Sequence, residues 1–307
     1  MPTCSRRTAF VVAILTLAAC GRAGTAPAGP PRSSPPPESP PPATADGDSV
    51  LFSDDFSGTA LDRDHWSVRI TGQTVNDEQQ AYVDSDSTLY IAHGADAEGA
   101  EDGAALVLQP RYEPGFTTPQ GNHFDFVSAR IDTRDKFEFE HGIAAARMKL
   151  PAGAGLWPAF WILGLGDWPA TGEIDVMENV GDSSWVSSAM HGPGYSGDTP
   201  IVQRYAFADS DATAWHVYSV DWGPQELVFR VDGKATYTVT RSMVTRYGPW
   251  AFDNSKYLIL NLALGGGYPG AVNGVTQPYH GLPASTVQRI RDDRVRVLVD
   301  WVRVTRH

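Results

Sequence analysis

Polar and hydrophobic side chains alternate in short segments along most of this chain. Eight such segments are rich in β-branched and aromatic residues and are separated by Gly, Pro, Asp or Asn: 127–133, 143–150, 157–163, 173–179, 216–222, 227–231, 256–264 and 295–304. A period of two is that of a β-strand. Helical periodicity is confined to about one turn near 241–247. The pattern predicts an all-β fold, a sandwich or a barrel, in one domain over 47–307.

The N-terminal residues follow a different pattern. Arg6 and Arg7 precede an apolar run over 9–19, which ends in Leu-Ala-Ala-Cys at 17–20. This run is too short for a bilayer, which needs about 20 residues, so we predict a signal peptide over 1–19. Leu-Ala-Ala-Cys resembles the lipobox of bacterial lipoproteins, which implies lipidation of Cys20 and an extracytoplasmic protein held at the cell membrane by its lipid anchor alone. A plain secretory signal with an incidental cysteine is the alternative.

Residues 20–46 combine this cysteine with a segment that is mostly Pro, Ala, Gly and Ser. Such a composition cannot bury a core and predicts an extended, polyproline-like linker. The other cysteine, Cys4, lies in the predicted signal peptide, so we expect no disulfide in the folded domain. The net charge of −12 argues against nucleic acid as a partner, and a monomer is the default expectation.

The chemically informative segment is the predicted strand 173–179, which has three acids among apolar residues. Side chains alternate along a strand, so Glu173 and Asp175 share one face, whereas Glu178 would point to the other. Burying an unpaired charge there is costly. An extra residue at Val176–Met177, a β-bulge, would return Glu178 to the face of the other two acids, and we predict a bulge there. The alternative, a surface strand with solvated acids, does not explain the apolar neighbours.

Such a trio of acids suits glycoside hydrolysis with retention of configuration, which needs two carboxyls about 5–5.5 Å apart. Glu173 and Glu178 can lean together across a bulge, and the charge of Glu173 is expected to raise the pKa of Glu178 and keep it protonated as a general acid. Asp175 lies between them and can orient the nucleophile through a hydrogen bond.

Glu-Ile-Asp-Val-Met-Glu at 173–178 resembles the E-x-D-x-x-E signature of glycoside hydrolase family 16, in its bulged, laminarinase-like form. Further similar segments, in the family's order, are 52–56, 128–131, 155–163, 190–195, 231–233 and 258–262. The resemblance covers essentially all of 50–307. It implies a β-jelly-roll sandwich of two antiparallel sheets with a concave cleft, and a retaining mechanism that needs no catalytic cofactor. By position, it implies Glu173 as nucleophile, Asp175 as assisting acid and Glu178 as acid/base.

Aromatic residues near the acids are candidates for substrate binding. Trp157 and Trp161 share one face of their predicted strand, and Phe160 and Ile162 share the other. We therefore expect the two tryptophans to line the cleft and Phe160 and Ile162 to fill the core; burial of both tryptophans in the core is the alternative. Trp168 is expected to form one wall of the cleft.

Polar residues complete the predicted binding set. His191 matches the family histidine near the acid/base, and Asn179 and Asn261 are further candidates for substrate contact. Tyr268 stands where laminarinase-like sequences more often have tryptophan, so a subsite contact is expected to differ.

A structural calcium ion is also implied by the resemblance, on the convex side of the domain. Asp55 and Asp300 match its ligands by position, with a backbone oxygen near Gly94 as a third. Oxygen ligands of this kind suit calcium.

The sequence predicts an endo-acting hydrolase of β-1,3-glucan, with mixed β-1,3/1,4-glucan as a further substrate. Agarose is an alternative polymer for the same chemistry, and the acidic net charge argues against sulfated carrageenan. From a different class, a β-glucan-binding lectin-like module could use the same jelly-roll without activity, and a structural envelope lipoprotein is a third interpretation. Both leave the three retained carboxyls unexplained.

Overall fold

The computed structural model describes residues 49–70 and 74–307. The predicted signal peptide over 1–19 and the whole of the predicted segment 20–46, with Cys20 and the linker, lie outside the described residues. Within them, none of the helices has both the length and the apolar character needed to cross a bilayer.

The described residues are dominated by strands. The strands are β1 (Val50–Asp54), β2 (Ser67–Val68), β3 (Gln80–Tyr82), β4 (Leu89–His93), β5 (Ala104–Leu108), β6 (Arg111–Thr117), β7 (His123–Ser128), β8 (Arg130–Asp132), β9 (Gly142–Lys149), β10 (Leu156–Gly164), β11 (Glu173–Glu178), β12 (Trp185–His191), β13 (Val202–Ala206), β14 (Trp215–Trp222), β15 (Glu226–Val231), β16 (Lys234–Thr240), β17 (Lys256–Leu264) and β18 (Val297–Thr305). The helices are α1 (Arg241–Val244), α2 (Gly267–Asn273) and α3 (Ala284–Arg291), with a 3-10 helix at Gly94–Ala97.

Two large antiparallel sheets organise the domain. One has the strand order β16-β15-β14-β9-β18-β5-β4, with β1 also paired to β18, and the other has the order β13-β12-β11-β10-β17-β8-β2. A third, smaller sheet has the strand order β3-β7-β6. The predicted all-β jelly-roll sandwich is confirmed. The expected turn near 241–247 begins with α1, whereas α2 and α3 were not predicted.

Alternating burial along the strands explains why the two sheets pack face to face. Strand β9 alternates strictly between buried and half-buried positions, and Ala144, Ala146 and Met148 point into the core. From the other sheet, Phe160 and Ile162 of β10 enter the same core, as predicted. Each large buried apolar side chain contributes about 1.5–3 kcal/mol to folding. The opposite face of β10 is therefore free to line a cleft.

Candidate active site

A β-bulge places the three acids of β11 together. On the neighbouring strand β10, Trp161 pairs with Asp175 and Phe160 with Met177, so Val176 is the extra residue. The register against β12 shifts at the same point. The predicted bulge is confirmed, and it has the predicted consequence, because Glu173, Asp175 and Glu178 all line one cleft.

This cleft has a volume of about 970 Å³ and crosses the face of the sheet that contains β10, β11 and β17. Trp157, Trp161 and Trp168 line it, as predicted, and so do His191 and Asn261. The side chain of Trp168 is 52% exposed, which is consistent with a position at the wall. The two tryptophans of β10 are not core residues, so that alternative is wrong.

Indole N–H groups hold the two glutamates. Trp157 Nε1 donates to Glu178 Oε1 at 2.9 Å, and Trp168 Nε1 donates to Glu173 Oε2 at 2.6 Å. The third cleft tryptophan, Trp161, instead donates to Asn261 Oδ1 at 2.7 Å. Each glutamate therefore has its own aromatic donor, which fixes the carboxyl and favours its charged form.

Burial raises the pKa of all three acids. It raises the pKa of Glu173 to about 8, with the charge of Asp175 adding to the effect. It raises the pKa of Glu178 to about 7, and the charge of Glu173 adds a smaller contribution. Burial and the charge of Glu178 raise the pKa of Asp175 well above its usual range. The sequence predicted that the charge of Glu173 raises the pKa of Glu178. That effect is present, but removal of Glu178 from water is the larger cause.

Hydrogen bonding links the acids, as predicted. Glu173 and Asp175 share a side-chain hydrogen bond. His191 Nε2 lies 3.1 Å from Asp175 Oδ2, and a proton on this histidine would lower the pKa of both Glu173 and Glu178. His191 pairs in register with Glu173, so it lies closer to the nucleophile candidate than the expected place beside the acid/base.

A cluster of Glu173, Asp175 and His191 has ligand atoms within 4.8 Å of one another. This geometry could hold a cation. The same three groups are linked by the hydrogen bond and the ion pair described above, and their arrangement suits proton transfer without a metal.

The expected role of Asn179 in substrate contact needs correction. Its Nδ2 donates to the carbonyls of Asp182 at 2.8 Å and Trp185 at 2.5 Å, and its Oδ1 accepts from the N–H of Gly181 at 2.6 Å. Asn179 follows the end of β11, where the backbone leaves the cleft face, and its buried amide shapes the loop before β12.

The predicted calcium ligands also need correction. Arg147 forms a buried ion pair with Asp300, and the N–H of Glu101 donates to the same carboxylate at 3.1 Å. Exposed Asp55 instead accepts from the N–H of Ser57 at 3.0 Å. A guanidinium that already neutralises Asp300 repels a cation, so these residues do not fit a calcium site.

Several cleft residues were not predicted from the sequence. Glu78, Tyr82 and Arg130 line one part of the cleft, and Arg204 and Tyr268 line another. The ring of Tyr268 packs edge-on against Trp157, and its hydroxyl lies 3.3 Å from Ser187 Oγ. These residues come from separate strands and loops, so no local spacing identifies them; Tyr268 alone carried a signal, as a departure from the family pattern.

Comparisons with known proteins agree with this geometry. The sequence model described as glycosyl hydrolases family 16 matches residues 70–274. Glucan endo-1,3-beta-glucosidase A1 of Niallia circulans is 34% identical over 284 residues, which cover 84% of this chain but only 38% of that protein. The beta-glucanase of Rhodothermus marinus is 30% identical over 271 residues, covering 84% of this chain and 85% of that protein.

A solved structure shows the same fold. The endo-beta-1,3-glucanase from Pyrococcus furiosus superposes with a TM-score of 0.70 at 30% identity, covering 84% of this chain and 94% of that one. The family match includes the bulged strand with its three acids and all of the residues that line the cleft. This chain belongs to glycosyl hydrolase family 16.

Proposed function

We propose that this chain is a retaining, endo-acting hydrolase of β-1,3-glucan that also accepts mixed β-1,3/1,4-glucan. The observation that carries the proposal is the bulged strand β11, which brings Glu173, Asp175 and Glu178 to the floor of one cleft lined by tryptophans. The Niallia, Rhodothermus and Pyrococcus relatives are named as glucanases or as a glucan endo-1,3-beta-glucosidase, which supports the substrate class.

The first chemical step forms a covalent intermediate. The Glu173 carboxylate attacks the anomeric carbon while Glu178 gives its proton to the glycosidic oxygen, the carbon–oxygen bond breaks, and the shortened chain leaves as an alcohol. In the second step Glu178, now a carboxylate, takes a proton from water as the water oxygen attacks the anomeric carbon. The bond to Glu173 breaks, and the sugar is released with its original configuration.

This mechanism needs an ionised Glu173 and a protonated Glu178, and the contacts of the trio can supply both. The hydrogen bond between Glu173 and Asp175 raises the pKa of Glu173 and lowers that of Asp175, so in the resting site the shared proton lies on Glu173. Attack requires this proton to move along the bond to Asp175, which then donates to an ionised Glu173. Trp168 donates a further hydrogen bond to that carboxylate. With protons on Asp175 and Glu178, the buried trio carries a single negative charge, which fits the raised pKa of all three acids.

The lining of the cleft favours a neutral polymer. Among the described residues that line it, six are acidic and two are arginines: Asp77, Glu78, Glu173, Asp175, Glu178 and Asp198 against Arg130 and Arg204. With protons on Asp175 and Glu178, four carboxyls still face two guanidiniums, and this balance disfavours a sulfated chain. Flat indole rings suit the apolar faces of glucose units.

The test is reducing-sugar release by the 46–307 domain on laminarin, lichenan, carboxymethyl-cellulose and agarose. Rapid release of oligosaccharides from laminarin is expected, and Glu173→Ser should abolish it while leaving the protein folded. Cleavage of agarose alone would be consistent with the proposed mechanism but would contradict β-1,3-glucan as the substrate. Binding of laminarin without cleavage of any polymer would favour the glucan-binding module instead.

We also propose that the protein is secreted and held at the cell membrane through a lipid on Cys20. The basic start, the short apolar run and Leu-Ala-Ala-Cys at 17–20 support this proposal. Expression of the full chain and of Cys20→Ala in a bacterial host tests it. The full chain should fractionate with membranes and the variant should be soluble outside the cytoplasm; a membrane-bound variant would contradict the proposal.

A further inference from the structure

Trp168 lies in the loop 165–172, which connects β10 to β11 and is called here the Trp168 loop. The indole donates to Glu173, yet its side chain is 52% exposed. Packing alone cannot hold a side chain that is half in solvent. The position of the indole therefore depends on how firmly the backbone of the loop is held.

Lys256 binds the C-terminal end of the Trp168 loop. It is the first residue of β17, and it is completely buried. Its ammonium group donates to the carbonyl of Thr171, to the carbonyl of Ala251 at 3.1 Å and to Asn254 Oδ1 at 2.9 Å. Thr171 is separated from the nucleophile candidate Glu173 only by Gly172. Lys256 thus joins the loop end to the neighbouring segment 251–254.

The backbone at this junction is packed too tightly to tolerate a shift. A Cβ on Gly172, which has a φ of +73°, would lie 2.4 Å from the carbonyl oxygen of Ala251. A Cβ on Gly164, at the other end of the turn, would lie 2.4 Å from the side chain of Thr171. The two carbonyls that Lys256 binds, those of Thr171 and Ala251, therefore lie on two segments in direct contact.

A buried amine in this position is costly, which indicates a specific role. Burial lowers the pKa of Lys256 to about 7, against the opposing charges of Glu140 and Asp253. Below neutral pH the amine is still protonated, and its three N–H donors match its three acceptors. The rings of Trp222 and Phe252 lie 5.7 and 5.5 Å from the ammonium and add cation–π attraction.

We propose that Lys256 is a positioning residue for the nucleophile: by holding the carbonyls of Thr171 and Ala251 it fixes the Trp168 loop, so that Trp168 and Glu173 meet. The inference rests on the proposed function for its catalytic consequence, but the contact between Trp168 and Glu173 can be observed without it. Lys256 itself does not touch the substrate.

The test compares wild type, Lys256→Met and Leu106→Ala. Methionine fills a similar volume but donates no hydrogen bond. Leu106 is fully buried in the other large sheet, so its truncation lowers stability without touching the loop and is a matched control. Lys256→Gln replaces Lys256→Met if that variant does not fold; its shorter side chain has only two N–H donors and cannot serve all three acceptors of Lys256. In each protein, ¹⁵N-tryptophan NMR follows hydrogen exchange of the Trp168 indole, with Trp168→Phe identifying its resonance.

In Lys256→Met, the Trp168 indole N–H should exchange with solvent roughly tenfold faster or more than in wild type. The same variant should have a kcat on laminarin about 10–100-fold lower, with little change in KM. Since the Trp168 bond lowers the pKa of Glu173, the acidic limb of kcat/KM should also move to higher pH. Leu106→Ala should change neither. A folded Lys256 variant with a protected indole and wild-type kcat would overturn the inference. If wild type cleaves no glucan, the proposed function fails, and indole exchange alone decides the role of Lys256.

Discussion

Replacing Trp157 by phenylalanine should separate the acid/base from its indole donor. The substitution keeps an aromatic ring in the cleft but removes the N–H that Glu178 Oε1 accepts at 2.9 Å. A hydrogen bond to a charged group contributes about 1.5–3 kcal/mol, and one pKa unit corresponds to about 1.4 kcal/mol. Because Trp157 lines an open cleft, water can replace part of the bond, so we take the lower end of the range. The pKa of Glu178, about 7 in the native site, should rise by roughly one unit.

The sign of the effect follows from the role of Glu178. The indole favours the carboxylate, so its loss favours the protonated form that the first step requires. The alkaline limb of kcat/KM on laminarin should therefore move to higher pH, measured from initial rates between about pH 5 and about pH 9. Trp161→Phe is the matched control, because that indole donates to Asn261 and to no carboxylate. An alkaline limb that stays in place, or moves to lower pH, in folded Trp157→Phe would refute the reasoning.

Three further predictions concern residues around the site and in the scaffold. Tyr268→Phe keeps the ring against Trp157 but removes the hydroxyl that lies 3.3 Å from Ser187 Oγ, and since a neutral hydrogen bond contributes about 1 kcal/mol, the free energy of unfolding, measured by urea denaturation, should fall by about 1 kcal/mol. Burial opposes protonation of His216, but the hydrogen bonds and charges of Asp232 and Asp211 together outweigh it and raise the pKa. The stability lost in His216→Gln, about 1 kcal/mol after screening of half-exposed Asp232, should be greatest below about pH 6.5 and vanish as the pH rises through the raised pKa, measured by urea unfolding. Arg147→Met leaves the carboxylate of Asp300 buried without its cationic partner and should lower the free energy of unfolding by about 3–5 kcal/mol. Adding calcium or a chelator to the wild-type protein should not change the midpoint of its urea unfolding curve.

The sequence predicted those features of the site that depend on local periodicity. Alternation along 157–163 assigns Trp157 and Trp161 to one face and Phe160 to the other, and the structure agrees. The bulge at Val176 followed from the cost of burying the charge of Glu178 away from the cleft. Both features follow once a segment forms a strand with the hydrophobic core on one of its faces.

Features that depend on contacts between distant segments were not predictable in the same way. Asn179 directly follows the cleft-facing Glu178, so alternation alone would turn it away from the cleft, and only the path of the following loop shows that its amide binds backbone. The pairing of Asp300 with Arg147 joins residues 153 positions apart. Helix α3 has only eight residues, little more than two turns, and its buried Thr286, Val287 and Ile290 form too short a run to be recognised in the sequence. For Asp300 the deciding partner lies outside the window in which periodicity can be seen, and for Asn179 it is the fold of a loop that has no period.

Side-chain size along the cleft face links the fold to the proposed chemistry. Ala159 pairs with Glu178 across β10 and β11, and Ala189 of β12 pairs with Asp175. Both alanines line the cleft, as do the larger Trp157 and the carboxylates themselves. Small side chains beside the acids leave space where a sugar ring must approach the carboxyls, while the tryptophan further along β10 supplies an N–H donor and a flat surface. The same alternation that packs the core thus also sets large and small residues on the cleft face, and substitution of the alanines by larger residues would close the cleft without disturbing the sheet.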